Sequence, residues 1–421
     1  MSTAPTLSPR REGMLLWLLA LTQFTVIMDF MVMMPLSPQL MRAFQVGPGA
    51  ISGAVSAYAW CAGLSGLLAA TYIDRFSRKT LMLAMFCLFT LSNLACALAP
   101  TFHTLVLSRA FAGLTGGVLS SITMAIIADV IPAARRGAAT GVVMTSFGMA
   151  AVAGVPAGVL LGARYNWSAP FVLLVGMSIL IWCAAAVVLP RLDGHLALGV
   201  RKLRDILPDL IGLFKVRRQR DAFLLCGLNF MGSMIVIPFI APTLVGNLGV
   251  RPVDMGWVYL CGGAAALASS RWLGRLADRF GALTTFRVAI LWSIVPVLLL
   301  THLIPLPLPV IVLCFVLFMT AMSARNIPMQ ALLTTIPAPN QRGAFLSVNS
   351  AIQQLGTGLG AWAGGQFLLT DSAGRISGYG TNGWVTAAIA VFAAFWVLRL
   401  RVPAPSALQP SVLTPRETRL P

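Results

Sequence analysis

Acidic side chains are scarce, 12 in 421 residues, and with 30 Lys and Arg the charged residues come to only 10% of the chain. A soluble domain carries about 25% charged residues. A globule this poor in charge would have no polar skin to keep it dissolved. Histidine is scarcer still. His103, His195 and His302 stand isolated near expected loops, so no metal site and no cofactor is expected. Seven cysteines (Cys61, Cys87, Cys96, Cys183, Cys226, Cys261 and Cys314) lie inside apolar runs, without C-x-x-C or His-partner spacing. They read as small core residues rather than disulfides or metal ligands. No G-x-x-x-x-G-K-[ST] phosphate loop occurs, so nothing points to ATP as an energy source.

What is abundant is apolar, at 58% of residues. Intrinsic disorder is excluded by that figure. A bilayer span takes about 20 mostly apolar residues. The apolar runs predict twelve spans, at 14–35, 50–72, 80–99, 104–128, 138–162, 170–190, 222–246, 255–273, 284–303, 308–334, 344–369 and 382–399. The first begins like a signal peptide, with Arg10 and Arg11 before the run from Met14. No small-x-small cleavage site follows, so it reads as a retained span. The expected fold is an all-α integral membrane protein. A tail (1–13) precedes a first six-helix bundle (14–190), a linker (191–221), a second bundle (222–400) and a final tail (401–421).

The net charge of +18 is explained by where the basic residues sit. With both termini in the cytoplasm, the inner segments hold 24 Lys and Arg. The outer loops hold four, Arg42, Arg164, Arg251 and Arg375. Only Arg109 and Arg325 lie inside spans. That bias predicts a multi-pass inner-membrane protein with cytoplasmic termini, its basic loops facing anionic lipid. Nothing resembles a nucleic-acid-binding element. In the linker, Leu203, Ile206, Leu207, Leu210, Ile211 and Phe214 share a helical face flanked by Arg and Lys. An interfacial helix on the inner leaflet is expected, the alternative being a solvated linker.

The two halves repeat. Ala70-Thr-Tyr-Ile-Asp74-Arg75-Phe76-Ser77-Arg78-Lys79 ends span 2, and Gly274-Arg-Leu-Ala-Asp278-Arg279-Phe280-Gly281 ends span 8, with the aspartates 204 positions apart. Pro132…Arg136-Gly137 returns as Pro337…Arg342-Gly343. Gly154 and Gly158 in span 5 return as Gly360 and Gly364 in span 11, 206 positions on. Parallel repeats about the membrane normal are a transporter architecture, with the site between the halves.

On these motifs the chain resembles the major facilitator superfamily over nearly its whole length. The family's G-x-x-x-D-R-x-G-R-K loop is present as Asp74, Arg75, Arg78 and Lys79, with Ala70 and Ser77 replacing its glycines. The second copy keeps Gly274, Asp278 and Arg279, with Ala282 and Leu283 for the basic pair. R-x-x-x-G of span 4 appears as Arg109 and Gly113. The antiporter motif of span 5 survives loosely, as Gly154, Pro156 and Gly158. That form is similar to the twelve-span drug:proton antiporters and sugar-efflux permeases. The resemblance implies a latch at Asp74 and at Asp278, and gating at Gly154, Pro156 and Gly158. The residues alone are equally consistent with a topology signal and with simple close packing.

Asp29 is the only acid well inside a span. At 1.5 Å per residue it lies ~22 Å from the inner edge, as Arg109 does in a core ~30 Å thick. The pair could therefore meet. A carboxylate whose charge depends on an adjacent Arg and on water entry can exchange a proton for substrate, and the resemblance supports that role. A static ion pair fixing helix register is the alternative. Thr22, Thr25 and Met33 share the face of Asp29, and Ser120 that of Arg109. In the second half Asn229, Phe230, Arg325, Asn326, Asn349 and Gln353 are the candidates to line a substrate cavity, or else to serve as inter-helix glue.

The expected function is proton-coupled efflux of small amphipathic or cationic compounds by a monomer, with protons, substrate and membrane lipid as partners. The alternative is export of a sugar or another polar metabolite. An enzyme should show clustered His or acids at one membrane face, and a sensor an appended soluble domain. Neither pattern is seen, so the chain is expected not to be an enzyme. The topology is checked by labelling: a cysteine placed at Arg204, in a variant with the native cysteines replaced, should react only from the cytoplasmic side. Labelling from outside would overturn the twelve-span arrangement.

Overall fold

The computed structural model describes residues 8–132, 135–190, 192–193, 203–337, 341–371 and 374–400. The spans are Pro9–Phe44, Pro48–Tyr72, Arg78–Ala97, Phe102–Val130, Arg136–Arg164, Ala169–Val188, Arg217–Gly246, Met255–Phe280, Ala282–Thr301, Leu308–Thr334, Arg342–Gln366 and Tyr379–Leu400. Ten of them are long and apolar enough to cross a membrane. Spans 8 and 11, of 26 and 25 residues, have the length but more polar side chains. Both meet the opposite half. A two-residue hairpin, Leu369–Thr370 against Ile376–Ser377, joins spans 11 and 12.

Several boundaries move. Span 1 was expected to stop at Pro35, yet the helix runs through Pro35 and Pro38 to Phe44. Proline removes an N–H and frees a carbonyl one turn back. Ser37 Oγ covers that loss, donating to Met34 O at 2.6 Å and Met33 O at 3.2 Å. Span 7 starts at Arg217 rather than residue 222, and breaks into a 3₁₀ turn at Ile237–Phe239, around Pro238. Span 12 mends the break. Asn382 Nδ2 donates to Ile235 O (2.9 Å) and Gly364 O (3.1 Å), Tyr379 Oη to Val236 O (3.2 Å) and Thr386 Oγ1 to Gly232 O (3.0 Å). Backbone groups inside a bilayer need such partners because water cannot supply them.

Span 5 carries a π-turn at Ala150–Gly154, just ahead of Pro156. The extra residue in that turn rotates the helix face. In sequence, Gly148, Gly154, Gly158 and Gly162 recur at intervals of six, four and four, which reads as roughly one helical face. Instead a Cβ on Gly148 would touch Leu267 of span 8, while the other three lie against Phe24, Met28, Val32 and Leu36 of span 1.

Glycine sets the helix spacing elsewhere too. Gly356, Gly360 and Gly364 of span 11 abut the carbonyls of Gly227, Met231 and Ile235 of span 7. Span 5 on span 1 and span 11 on span 7 are the same contact in the two repeats. Gly113 and Gly117 of span 4 abut the carbonyls of Tyr58 and Ala62 in span 2. At all these positions a side chain would force backbones apart.

The halves touch where span 1 meets the end of span 7 around Ile237–Gly246, and along two further seams. Span 2 meets span 11, where Ser56 Oγ donates to Gly358 O at 2.8 Å and a Cβ on Gly63 would lie 2.9 Å from that of Gln354. Span 5 meets span 8, where a Cβ on Gly263 would lie 2.6 Å from Ala151 O, and one on Gly256 2.9 Å from Leu160. These contacts begin at the end away from residues 8 and 400; those of span 5 with span 8 run to mid-span at Gly148, and span 2 packs against second-half and linker residues as far as Leu67. Nearer the end where residues 8 and 400 lie, Met144 and Phe147 of span 5 and Leu276 and Phe280 of span 8 are exposed.

The linker helix, Leu203–Lys215, buries Leu210 and Leu213 against Ala222, Phe223 and Phe345 of the second half. Ile211 and Phe214 remain exposed. The side chains of Leu203, Ile206 and Leu207, and the tails 1–7 and 401–421, lie outside the described residues.

The glycine contacts predict a graded response. Gly360→Ala should push Met231 away at about 1–3 kcal/mol, read as a lower unfolding temperature in detergent. Gly176→Ala, where a Cβ meets nothing within 4 Å, should be neutral or slightly stabilising.

Candidate functional site

Asp29 and Arg109 meet as a fully buried ion pair, Arg109 Nη1 donating to Asp29 Oδ1. Span 1 places Asp29 one turn beyond Val26 and Thr25. Span 4 brings Arg109 in through Gly113, whose missing side chain lets span 2 close on span 4. Tyr58 of span 2 closes the pocket: its ring lies under the guanidinium, 4.4 Å from Cζ, and its hydroxyl donates to Val26 O at 3.3 Å. Such a cation–π contact strengthens as the site is dried. Asp29 Oδ2 and Arg109 Nε and Nη2 are buried without hydrogen-bond partners. The pair is therefore incompletely satisfied, and a buried pair owes its stability to full hydrogen bonding.

The pair lies among spans 1, 2 and 4 of the first half, not on the seam between halves. Thr22 and Thr25 are fully buried and spend their hydroxyls within span 1, on Leu18 O (3.0 Å) and Thr22 O (2.8 Å). Met33 is buried in the first-half core. These three line the bundle interior. Ser120 is half-buried and receives Gln23 Nε2 at 3.2 Å. Gln23 went unnoticed in the sequence because it sits on the face opposite Thr25. An uncharged amide within a span was the available signal.

The second half builds a different centre. Arg325 of span 10 is 1% exposed. It donates from Nε to Asn229 Oδ1 (3.0 Å) and from Nη2 to Asn229 Oδ1 (2.9 Å) and O (3.0 Å). Asn229 Nδ2 donates on to Asn326 Oδ1 at 2.9 Å. Asn229 is buried and Asn326 half-buried. So Asn229, Arg325 and Asn326 do come together. Phe230 and Gln353 are half-buried, and Asn349 is buried with Oδ1 unpartnered.

The span 2–3 loop is a brace. Buried Arg78 donates to Asp74 Oδ1 (2.6 Å), Asp129 Oδ2 (2.8 Å) and Ile73 O (2.8 Å). Lys79 Nζ holds Ala186 O and Leu189 O at the end of span 6, both at 2.7 Å. Arg78's partners all belong to the first half. Arg75 is exposed, and so are Asp278 and Arg279 of the second copy, where a Cβ on Gly274 meets nothing within 4 Å. The other repeated motif does the same work twice: Arg136 Nη2 donates to Ala128 O (2.6 Å) and Arg342 Nη2 to Thr334 O (3.2 Å), each eight residues back. Gly154, Pro156 and Gly158 pack within the first half, beside seam residues Ala151 and Leu160.

The profile of the Major Facilitator Superfamily matches residues 19–227 and 222–419. The chain belongs to that superfamily. It is a multi-pass membrane transporter. Among its relatives, a probable sugar efflux transporter of Helicobacter acinonychis is 25% identical over 84% of this chain and 87% of its own. The uncharacterized MFS-type transporter YfhI of Bacillus subtilis is 26% identical over 81% of each. The inner membrane transport protein YdhP of Escherichia coli is 26% identical over 79% of this chain and 83% of its own. In fold the chain is similar to a bacterial homologue of the lysosomal transporter Spinster (TM-score 0.76, 17% identity, covering 93% of this chain and 97% of the other). It is also similar to a D-xylose–proton symporter (TM-score 0.75, 16% identity, covering 93% and 98%).

The brace separates stability from transport. The Asp74 side chain is 53% exposed and that of Arg78 only 4%, so the pair is screened and contributes about 0–1 kcal/mol. Asp74→Asn should keep its unfolding temperature while transport weakens. Arg78→Ala, which removes three bonds at once, should lower the yield of folded protein. A large drop in folded protein with Asp74→Asn would make the loop structural only.

Proposed function

We propose that the protein is a proton-coupled exporter of small polar organic molecules, working by alternating access, with Asp29 as the proton-carrying group. The observation that carries the reading is the Asp29–Arg109 pair. Asp29 is the one acid buried in the middle of a span among the described residues. Ionisable groups at that depth are costly and mark ion pathways. Arg109 favours the ionised carboxylate and burial favours the neutral one. Its unpartnered Oδ2 has room in its hydrogen bonding for a proton. Water reaching the pocket from one side changes that balance, which is what an exchanger requires.

Alternating access is supported by the seam of span 5 with span 8, closed at one end and stopping at mid-span. With both termini in the cytoplasm, as the 24-to-4 split of basic residues favours, the closed end faces outward and substrate enters from inside. The polar centre of Asn229, Arg325 and Asn326 favours a polar substrate, in line with the name of the Helicobacter relative. Amphipathic or cationic drugs are the second reading. Half-buried Met31, Met231 and Met319 near the seam favour it, since methionine adapts to varied apolar shapes. A latch at Asp74, engaged with the other half in the opposite state, fits the same cycle.

The test is Asp29→Asn in everted vesicles, reading collapse of a pH gradient on addition of sugars and of cationic dyes. This variant should fold, because it gives the first half the Arg–Asn pairing that the second half already holds. Gradient-driven transport should be lost while substrate exchange persists. Proton release on substrate addition equal to that of the parent would place coupling elsewhere.

A further inference from the structure

The two repeats treat their buried arginine differently. In the first half Arg109 is neutralised by Asp29. In the second half every partner of Arg325 among the described residues is neutral: the amide and carbonyl of Asn229, and Met322 Sδ at 3.9 Å from Nη1. The spans that carry these groups, 1 with 4 and 7 with 10, are equivalent in the repeat. The first half thus buries no net charge at its centre, and the second buries one full positive charge.

An uncompensated cation within a span is expensive to keep unless something negative visits it. Asn229 does not remove that cost. It fills two of the guanidinium nitrogens and leaves Nη1 with only a weak sulfur acceptor. Position allows a visitor. Arg325 stands nine residues, ~14 Å, from the end of span 10 at Thr334, nearer that end than Gly148, where the contacts of span 5 with span 8 stop. Asn326, hydrogen-bonded to Asn229, is half-buried and forms the outer layer of the centre.

We infer that the Arg325–Asn229–Asn326 centre selects a small organic anion, a molecule carrying a carboxylate or a phosphate, as the exported substrate. Asn326 meets the polar body of the molecule, and Arg325 supplies the charge its anionic oxygens need once water is excluded. A guanidinium suits this work because its donors match paired oxygens. A cation would be repelled by the same charge. This inference rests on the export reading above and narrows its substrate.

The experiment uses the full-length protein in proteoliposomes with an imposed pH gradient, and probes built on one six-carbon sugar frame with different charge: gluconate, glucose 6-phosphate, glucose and glucosamine. Ethidium serves as a lipophilic cation. The parent should move gluconate or glucose 6-phosphate at least tenfold faster than glucose and glucosamine, and the two anions distinguish a carboxylate from a phosphate preference. Arg325→Lys should keep the preference for anions, with weaker binding. Arg325→Gln, with a matched unfolding temperature, should reduce transport of the anion to the level of glucose. Equal transport of glucosamine and gluconate by the parent, or an undiminished anion preference in Arg325→Gln, overturns the assignment. Ethidium moved in preference to both anions overturns it while leaving proton-coupled export standing. Gradient-driven movement of none of the probes overturns both readings. Should Arg325→Gln fail to fold, Asn326→Asp decides: a negative charge placed beside the centre should lower transport of the anion at least tenfold more than that of glucose, and an equal loss for both, or undiminished anion transport, would overturn the inference.

Discussion

The bilayer interior offers no water, so each backbone N–H and C=O within a span must find its partner inside the protein. That constraint governs the whole structure. It explains why a side chain covers carbonyls freed where proline interrupts a span. Ser37 does so in span 1. In span 7 the mending is tertiary, since Tyr379, Asn382 and Thr386 reach across from span 12. A break around Pro238 is thereby held in one shape, near the place where the halves meet.

Because lipid is as apolar as leucine, burial of side chains alone does not draw helices together in the membrane. Close backbone contact does. The stacked glycines of span 11 on span 7, and of span 4 on span 2, bring polar backbone atoms within contact of the next helix. The latter contact has a consequence for chemistry: Gly113 lets Tyr58 approach Arg109, and with it the dry pocket of Asp29 is complete. Packing and electrostatics are one arrangement here.

The repeat is preserved in helix contacts and in the arginines that cap spans 4 and 10, but it has diverged in charge. One half holds a carboxylate–guanidinium pair, the other a guanidinium held by amides. The loop after span 2 has diverged too. Its first copy ties spans 3, 4 and 6 together, and its second copy stands exposed. Transporters built of two halves need them alike enough to rock about a shared axis and different enough to divide ion and substrate handling.

Fold class and span number were legible from length and apolar runs, since the thickness of a bilayer sets the length of a helix. The depth of Asp29 and Arg109 was legible for the same reason: a fixed rise per residue converts position into height. The glycines that repeat in sequence, Gly154 and Gly158 with Gly360 and Gly364, stand at the equivalent contacts of spans 5 and 11. Rotation about the helix axis was not legible. Thr22, Thr25 and Met33 share a face with Asp29, as their spacing requires, but only the neighbours decide whether that face meets the seam or the bundle interior. Span 5 is an example: Gly148 faces Leu267 of span 8 while Gly154 lies on span 1, with a π-turn between them. Sequence by itself determined how many helices cross and how deep each polar group lies, because those follow from local geometry and the thickness of the membrane. Tertiary structure alone decided which groups touch, pairing Arg109 with a carboxylate and Arg325 with an amide, because helix rotation and tilt are set by packing against several neighbours at once.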